Sequence, residues 1–159
     1  MTRNFKKYFA GERARALAIM FLTRRDDLII EDAKEGLGLD FLVSIARKDE
    51  PPQPRFGIVL KAAIVPVTLE QAGQVVAPPV RDFQRRGTFP YPVCLFFFTM
   101  RDDRGYYTWL REPTVTKQGR PRLSVCAEPD CKVLDEESLS QLVETINAWY
   151  DALYADLTA

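Results

Sequence analysis

The feature that most constrains the fold is an unbroken apolar run at residues 93–98, VCLFFF. Successive side chains of a β-strand point to opposite faces of a sheet, so this segment is apolar on both faces. Six residues are far too few to cross a membrane as a helix. We therefore predict that residues 91–99 form a fully buried strand near the middle of a layered domain.

A helix is predicted over residues 4–24, where apolar side chains recur at helical spacing. The predicted apolar stripe is about 100° wide and consists of Phe5, Phe9, Glu12, Ala16, and Ile19 or Met20. Glu12 falls inside this stripe, where a carboxylate is costly unless it is paired or coordinated.

A second helix is predicted at the carboxyl end of the chain. Asp135 is the expected N-cap, and Glu136 and Glu137 suit the positive end of the helix dipole. The helix then presents one apolar stripe, formed by Leu139, Leu142, Val143, Ile146, Trp149, Tyr150 and Leu153.

Three short strands are predicted to follow the first helix as a meander, at residues 28–31, 39–45 and 56–61. In the second of them, alternation places Phe41, Val43 and Ile45 on one face of the sheet. Residues 49–54 contain three prolines and are expected to form a turn or loop.

The middle of the chain is predicted from its prolines and glycines. Pro78 interrupts a helical beginning at residues 68–71, and a short helix is expected over residues 80–86, started by Pro79 and stopped by Gly87. Residues 101–105 form a hairpin turn into a strand at 106–110, and a further short strand is expected near residues 123–125.

The length of 159 residues suits one domain, residues 1–159. The predicted order is α-β-β-β-α-β-β-α, an α/β (α+β) fold with a central mixed sheet flanked by helices. The chain opens without a signal peptide, and its three cysteines leave one thiol unpaired in any disulfide scheme. We expect a soluble, cytoplasmic protein that does not engage a membrane.

Composition excludes several kinds of chemistry. The chain contains no histidine, which excludes imidazole bases, Ser-His and Cys-His nucleophiles, and histidine-bound metals. Lys and Arg total 22 and Asp and Glu total 22, so the net charge is zero. Nucleic acid could therefore be bound only through a local basic patch.

Four short segments carry a family resemblance through their order and spacing. They are residues 11–14 (GERA), residues 38–40 (GLD), residues 56–61 (FGIVLK), and residues 92–98 followed by 107–110 (YTWL). Together they resemble the restriction-endonuclease-like PD-(D/E)XK nuclease superfamily, and are most similar to its bacterial branch called domain of unknown function 4365.

The resemblance implies a restriction-endonuclease-like core and a Mg²⁺-dependent phosphodiester hydrolase. In it, Asp40 would be a metal ligand, Lys61 would position or deprotonate the attacking water, and Glu12 would complete the metal site. A hard cation bound by carboxylates can polarise phosphate and lower the pKa of water, and none of this requires histidine.

Two positions depart from the pattern that the resemblance implies. The superfamily has an acidic residue two positions before the lysine, where this chain has Val59; the branch has an Asp four positions before Asp40, where this chain has Gly36. Neither residue can coordinate Mg²⁺. Either another carboxylate substitutes, with Glu12, Glu31 and Asp32 as the candidates, or the site is inactive.

Each of these residues also has an ordinary structural interpretation. Asp40 can be a turn residue at a strand start, Lys61 a solvated edge charge, and Glu12 the partner of an arginine in a buried ion pair. Two functional hypotheses follow: a nuclease-like domain with a degenerate metal site, or a non-catalytic protein-interaction module on the same scaffold, with a protein partner or a homodimer.

Weaker signals concern partners. The local basic clusters could contact nucleic acid or could form ion pairs with the acids beside them: Arg24-Arg25, Arg81 with Arg85-Arg86, Arg101 with Arg104, and Lys117 with Arg120 and Arg122. Exposed hairpin aromatics could stack on bases, whereas buried ones would pack in the core: Tyr106, Tyr107 and Trp109. Cys126 and Cys131 are either plain thiols around a turn or half of a zinc site.

Overall fold

The computed structural model describes residues 3–48, 53–85, 89–125 and 128–158, with side chains from residue 9 onward. The predictions for residues 49–52, Arg86, Gly87 and Cys126 lie outside the described residues. In the part that is described, the helices are α1 (Arg3–Leu22), α2 (Leu69–Arg85) and α3 (Glu136–Thr158). The strands are β1 (Leu28–Asp32), β2 (Phe41–Ile45), β3 (Arg55–Ala63), β4 (Val93–Thr99), β5 (Arg104–Val115), β6 (Pro121–Ser124) and β7 (Lys132–Val133).

The strands form one mixed sheet in the order β1-β2-β3-β4-β5-β6, with β7 also paired to β5. β1, β2 and β3 are an antiparallel meander, as predicted, and Phe41 lies opposite Ile58 in the β2–β3 register. β3 and β4 are parallel and are connected through α2, whereas β4 and β5 form an antiparallel hairpin. The structure thus confirms an α+β domain whose mixed sheet is flanked by helices.

Two apolar cores cover the two faces of the sheet. α1 and α3 pack on one face and α2 packs on the other. All seven residues of β4 are buried: Cys94, Phe96 and Phe98 face the first core, while Val93, Leu95 and Phe97 face the second. The prediction of a strand buried on both faces is confirmed. Among the described residues, no helix is long and apolar enough to cross a membrane.

The prediction for the buried face of α1 is wrong. The helix buries Ala14, Ala18 and Leu22 against the sheet, whereas Phe9 is 51% and Met20 is 56% exposed. Small alanines let the helix approach β3 and β4, which it contacts. Because this packing is close, the helix buries the face that carries the alanines and exposes the face that carries Phe9 and Met20. The side chain of Phe5 lies outside the described residues.

The prediction that prolines divide the middle helix is also wrong, since α2 continues through Pro78 and Pro79. Thr68 and Gln71 cap its start reciprocally: the Gln71 amide donates to Thr68 Oγ1 at 3.3 Å, and the Thr68 amide donates to Gln71 Oε1 at 3.0 Å. One buried stripe runs past both prolines, and its packing on the sheet offsets the two missing amide donors: Ala72, Val76, Val80 and Phe83.

The predicted start of the last helix is confirmed. The Ser138 amide donates to Asp135 Oδ1 at 2.8 Å, and the Asp135 amide donates to Ser138 Oγ at 2.8 Å. Six of the seven predicted stripe residues are buried, and Leu153 packs against them at the edge of the core. The cap and the apolar stripe therefore both act as the sequence predicted.

An ion pair at the start of β1 makes stability depend on pH. Arg25 Nη2 lies 2.8 Å from Asp27 Oδ2, and each side chain is 29% exposed. The hydrogen bond from Arg25 lowers the pKa of Asp27. The stabilisation is therefore present above the unfolded-state pKa of about 3.9 and is lost as pH falls through the lower folded-state value.

We expect Asp27→Asn to be less stable than the wild type at pH 7, and the difference to shrink steadily below about pH 4. Urea denaturation of both proteins between pH 2 and pH 7 measures this, and Asp156→Asn is the control because Asp156 is exposed near the end of α3. A difference that stays constant across this range would contradict the assignment.

Candidate functional site

The three residues predicted for the site line one cleft of about 260 Å³. Glu12 comes from α1, Asp40 directly precedes β2, and Lys61 lies near the end of β3. The cleft is completed by Gly11, Ala14, Arg15, Leu60 and Ala62. The structure therefore brings the three predicted residues to one cleft, with Lys61 on the α2 face of β3 beside Val59 and Glu12 on α1, which packs on the opposite face.

A larger cleft of about 500 Å³ adjoins the first and shares Asp40, Leu60 and Lys61 with it. Its other side is formed by the loop before β2 and by α2. This cleft adds two carboxylates that no sequence motif indicated, Glu35 and Asp82. Asp82 could have been noticed because it lies one position before Phe83, which anchors α2 to the sheet.

Asp40 is held by backbone hydrogen bonds at the point where β2 begins. Its amide donates to the Ile58 carbonyl at 2.8 Å, and its carbonyl accepts from the Ala33 amide at 3.1 Å. Its carboxylate oxygen Oδ2 accepts a hydrogen bond from the Leu60 amide at 2.7 Å. One carboxylate oxygen thus satisfies a strand amide, which supports the structural interpretation of this residue.

The loop before Asp40 is shaped by two glycines and by close packing. Gly36 and Gly38 have φ values of 88° and 78°, a region that favours glycine. Leu39 then packs directly on Gly57, where an added Cβ would lie only 2.8 Å from Leu39 Cδ1. Because Gly57 has no side chain, Leu39 can pack against it, and this contact fixes the position of the next residue, Asp40.

Glu12 is exposed at the rim of the first cleft, so the prediction that it lies in a buried apolar stripe is wrong. It makes no ion pair with any residue in the described part of the chain, which also removes the alternative of a buried bridge. Its neighbour Arg15 is engaged instead, by an ion pair with Asp32 and by a guanidinium carbon 4.7 Å from the centre of the Phe41 ring.

Val59 occupies the position at which the resemblance calls for an acid. It lies on the same strand face as Lys61, is 9% exposed, and packs in the core beneath α2 while lining the larger cleft. The suggested substitutes do not replace it: Asp32 is paired with Arg15, and neither Glu31 nor Asp32 is among the described residues that line the two clefts.

The donor set does not fit a Mg²⁺ centre built by the protein alone. No group of three or more Asp, Glu or Cys side chains among the described residues is arranged to hold a metal ion. The first cleft offers only Glu12 and Asp40, and one oxygen of Asp40 already accepts from Leu60. Mg²⁺ held by one or two carboxylates relies on water and substrate phosphate for the remaining ligands.

The charges around the two clefts are mainly negative. They are lined by four carboxylates, from Glu12, Glu35, Asp40 and Asp82, and by two lysines, Lys34 and Lys61. Arg15 also lines the first cleft, but its charge is paired with that of Asp32, which lines neither cleft. Without a cation, this balance opposes the approach of a phosphodiester.

Several of the predicted basic patches are ion-paired in the structure. Arg24 Nη1 lies 3.5 Å from Glu136 Oε1, and Arg104 Nε lies 3.7 Å from Asp102 Oδ2. Arg13 forms two hydrogen bonds to Asp103, at 2.8 and 2.9 Å. The alternative of solvated ion pairs is therefore supported for Arg24, Arg25 and Arg104, whereas Arg13 belongs to none of the predicted patches.

The hairpin tyrosines pack in the core and are not available for stacking on bases. Tyr106 is 2% and Tyr107 is 5% exposed. The Tyr106 hydroxyl donates to the Val67 carbonyl at 2.8 Å. Trp109 is half-buried and packs at the edge of the first core.

Two cysteines lie among the described residues, Cys94 and Cys131, and both are free thiols. Burial raises the pKa of Cys131 to about 11 and raises that of the buried Cys94 well above its usual value. Because Cys126 lies outside the described residues, the half zinc site of Cys126 and Cys131 stays a prediction.

The fold and the clefts thus define an α+β domain with an acid-rich surface cleft at the ends of β2 and β3. No family model, no curated protein and no solved structure matches this chain.

Proposed function

We propose that this protein is a nuclease-like domain of the PD-(D/E)XK type with a degenerate metal site, in which phosphodiester hydrolysis is lost or weak. The observation that carries the proposal is the meeting of Glu12, Asp40 and Lys61 at one cleft while Val59 fills the remaining acid position. The restriction-endonuclease-like core is part of this proposal.

The topology supports the kinship. A helix, an antiparallel meander, a helical crossover and a parallel strand follow one another in the order that the resemblance implies. The meander and the first helix bring Glu12, Asp40 and Lys61 to one cleft. Function nevertheless depends on the site rather than on the fold.

The composition of the site supports the proposal that hydrolysis is impaired. Lys61 can position water or neutralise charge that develops on a phosphate, and Asp40 lies beside it. Attack on a phosphodiester also requires strong stabilisation of negative charge, and the two clefts carry more carboxylates than cations. The residues present therefore suit a remnant of a catalytic centre better than a working one.

The wild-type protein is expected to show no tight binding of Mg²⁺ or Mn²⁺ in calorimetry. It is also expected to show no Lys61-dependent cleavage of single- or double-stranded DNA or RNA with either ion. The Lys61→Ala and Asp40→Ala variants are compared with it, and Lys48→Ala is a control because Lys48 is exposed and lines neither cleft. Cleavage that Lys61→Ala abolishes and Lys48→Ala retains would identify an active nuclease.

The second candidate function is a non-catalytic protein-interaction module on this scaffold. The observation that favours it is that several exposed arginines are already paired with carboxylates, at Arg13, Arg24 and Arg104. Fluorescence anisotropy with labelled DNA and RNA separates the two candidates. Salt-dependent nucleic-acid binding supports the nuclease-like domain, and its absence supports the interaction module.

A further inference from the structure

We propose that two copies of this chain associate by antiparallel pairing of their β1 edge strands, with a twofold axis at Ile30. β1 is the terminal strand of the sheet and pairs only with β2 among the described strands. Such an edge presents backbone donors and acceptors that can bind another strand. The inference does not depend on the proposed function.

The hydrogen bonds to β2 determine which backbone groups of β1 point outward. The Asp27 carbonyl accepts from the Ala46 amide at 2.7 Å, and the Ala33 amide donates to the Asp40 carbonyl at 3.1 Å. Because bonding alternates along an antiparallel strand, the peptide groups of Leu28, Ile30 and Asp32 point away from β2. These three residues form the unpaired edge.

A twofold axis at Ile30 pairs every one of these outward groups. It places Ile30 opposite its own copy, and Leu28 opposite Asp32 of the second chain, with backbone bonds exchanged at each pair. Twofold interfaces are self-complementary in this way. A shift by one residue would instead face an outward peptide group with an inward one.

Charges at the two ends of β1 match in this register. The ladder to β2 runs from Asp27 to Ala33, and continuing the same alignment by one residue sets Asp26 near Lys34 of the second chain. Both side chains are exposed. The symmetry repeats this contact, whereas parallel pairing would set like charges beside each other, which is destabilising.

Side chains beside the edge also favour a second copy. Ile29 is 46% exposed on β1, and Ile19 is 37% exposed on α1, one helical turn from Arg15, which reaches Asp32. Edge carboxylates commonly prevent strand pairing. Here Asp32 is already paired with Arg15, and Glu31 would lie opposite Ile29 of the second chain.

The register is tested by an engineered disulfide. Hydrogen-bonded antiparallel partners have Cα atoms about 5.5 Å apart, a separation that a disulfide spans. Ile30→Cys is therefore expected to form a crosslinked dimer under mild oxidation, identified by mass spectrometry as a bond between two copies of residue 30. Ile29→Cys is the matched control. It is expected to crosslink at least about tenfold more slowly, because residue 29 of one chain lies diagonally across the axis from residue 29 of the other, at a greater distance than a directly opposite pair.

Charge exchange tests the same dimer without cysteine. In sedimentation velocity, the wild type is expected to dimerise with rising concentration, and Asp26→Lys and Lys34→Glu are each expected to weaken dimerisation about 3- to 10-fold. The double variant restores it. A wild type that stays monomeric up to about 1 mM, a dimer without the residue 30 crosslink, or a double variant no better than the single ones would overturn the proposal.

Discussion

Phe41→Ala is expected to lower the free energy of unfolding by about 3–5 kcal/mol, since it removes a large buried ring and leaves a cavity. Phe41 is 1% exposed and lies in the core beneath α1 and α3. The Arg15 guanidinium also loses the ring beneath it, 4.7 Å away. Because Phe41 directly follows Asp40, the same change loosens the wall of the first cleft.

Urea denaturation at neutral pH measures this effect, and Leu42→Ala is the matched control. Leu42 is the next residue on the strand, points to the opposite face and is only half-buried, so we expect a loss of about 1 kcal/mol. Equal losses in the two variants would show that the assignment of strand faces is incorrect.

Strand faces were predictable because they depend on local alternation. Phe41, Val43 and Ile45 are all buried on one face, as their spacing predicted. β4 was predictable because an apolar residue at each position fits only a strand covered on both sides. α3 was predictable because its cap and its stripe agree with each other.

The helices that were mispredicted involve tertiary packing that no local pattern contains. In α1 Phe9 and Met20 lie outside, whereas Ala14 and Ala18 lie inside with Leu22, because the close approach of the helix to the sheet outweighs the burial of larger side chains. In α2 the contacts of Val76 and Val80 on the sheet hold the helix together across Pro78 and Pro79. Intrinsic propensity is a weak guide where such packing decides.

The shared cleft was predictable, but the contacts within it were not. The order of segments predicted that Glu12, Asp40 and Lys61 would share a cleft, which they do. The hydrogen bond from Leu60 to Asp40, and the arrival of Glu35 and Asp82, depend on how a loop and α2 close over the strand ends. These contacts join residues distant in sequence, so spacing does not reveal them.

Val59→Asp is expected to restore metal binding, with an affinity for Mn²⁺ about 10–100-fold above that of the wild type, because ligand charge and number determine affinity for hard cations. Val59 lines the larger cleft beside Asp40 and Lys61, so the new carboxylate can face the cleft. Without metal, the variant is expected to be less stable by about 1–3 kcal/mol, because a partly buried carboxylate replaces an apolar side chain.

Mn²⁺ then reverses this loss. Binding to the folded state alone adds about 2.7 kcal/mol at a metal concentration 100 times Kd, so thermal denaturation with and without Mn²⁺ gives a direct measurement. Val59→Asn is the matched control: it has the same shape as the aspartate without the charge, and Mn²⁺ should not stabilise it. Adding Asp40→Asn to Val59→Asp should remove the gain, because the two carboxylates would share the ion. If aspartate and asparagine at position 59 respond alike to Mn²⁺, Val59 does not stand in a former metal site, and the protein-interaction module becomes the better account of these clefts.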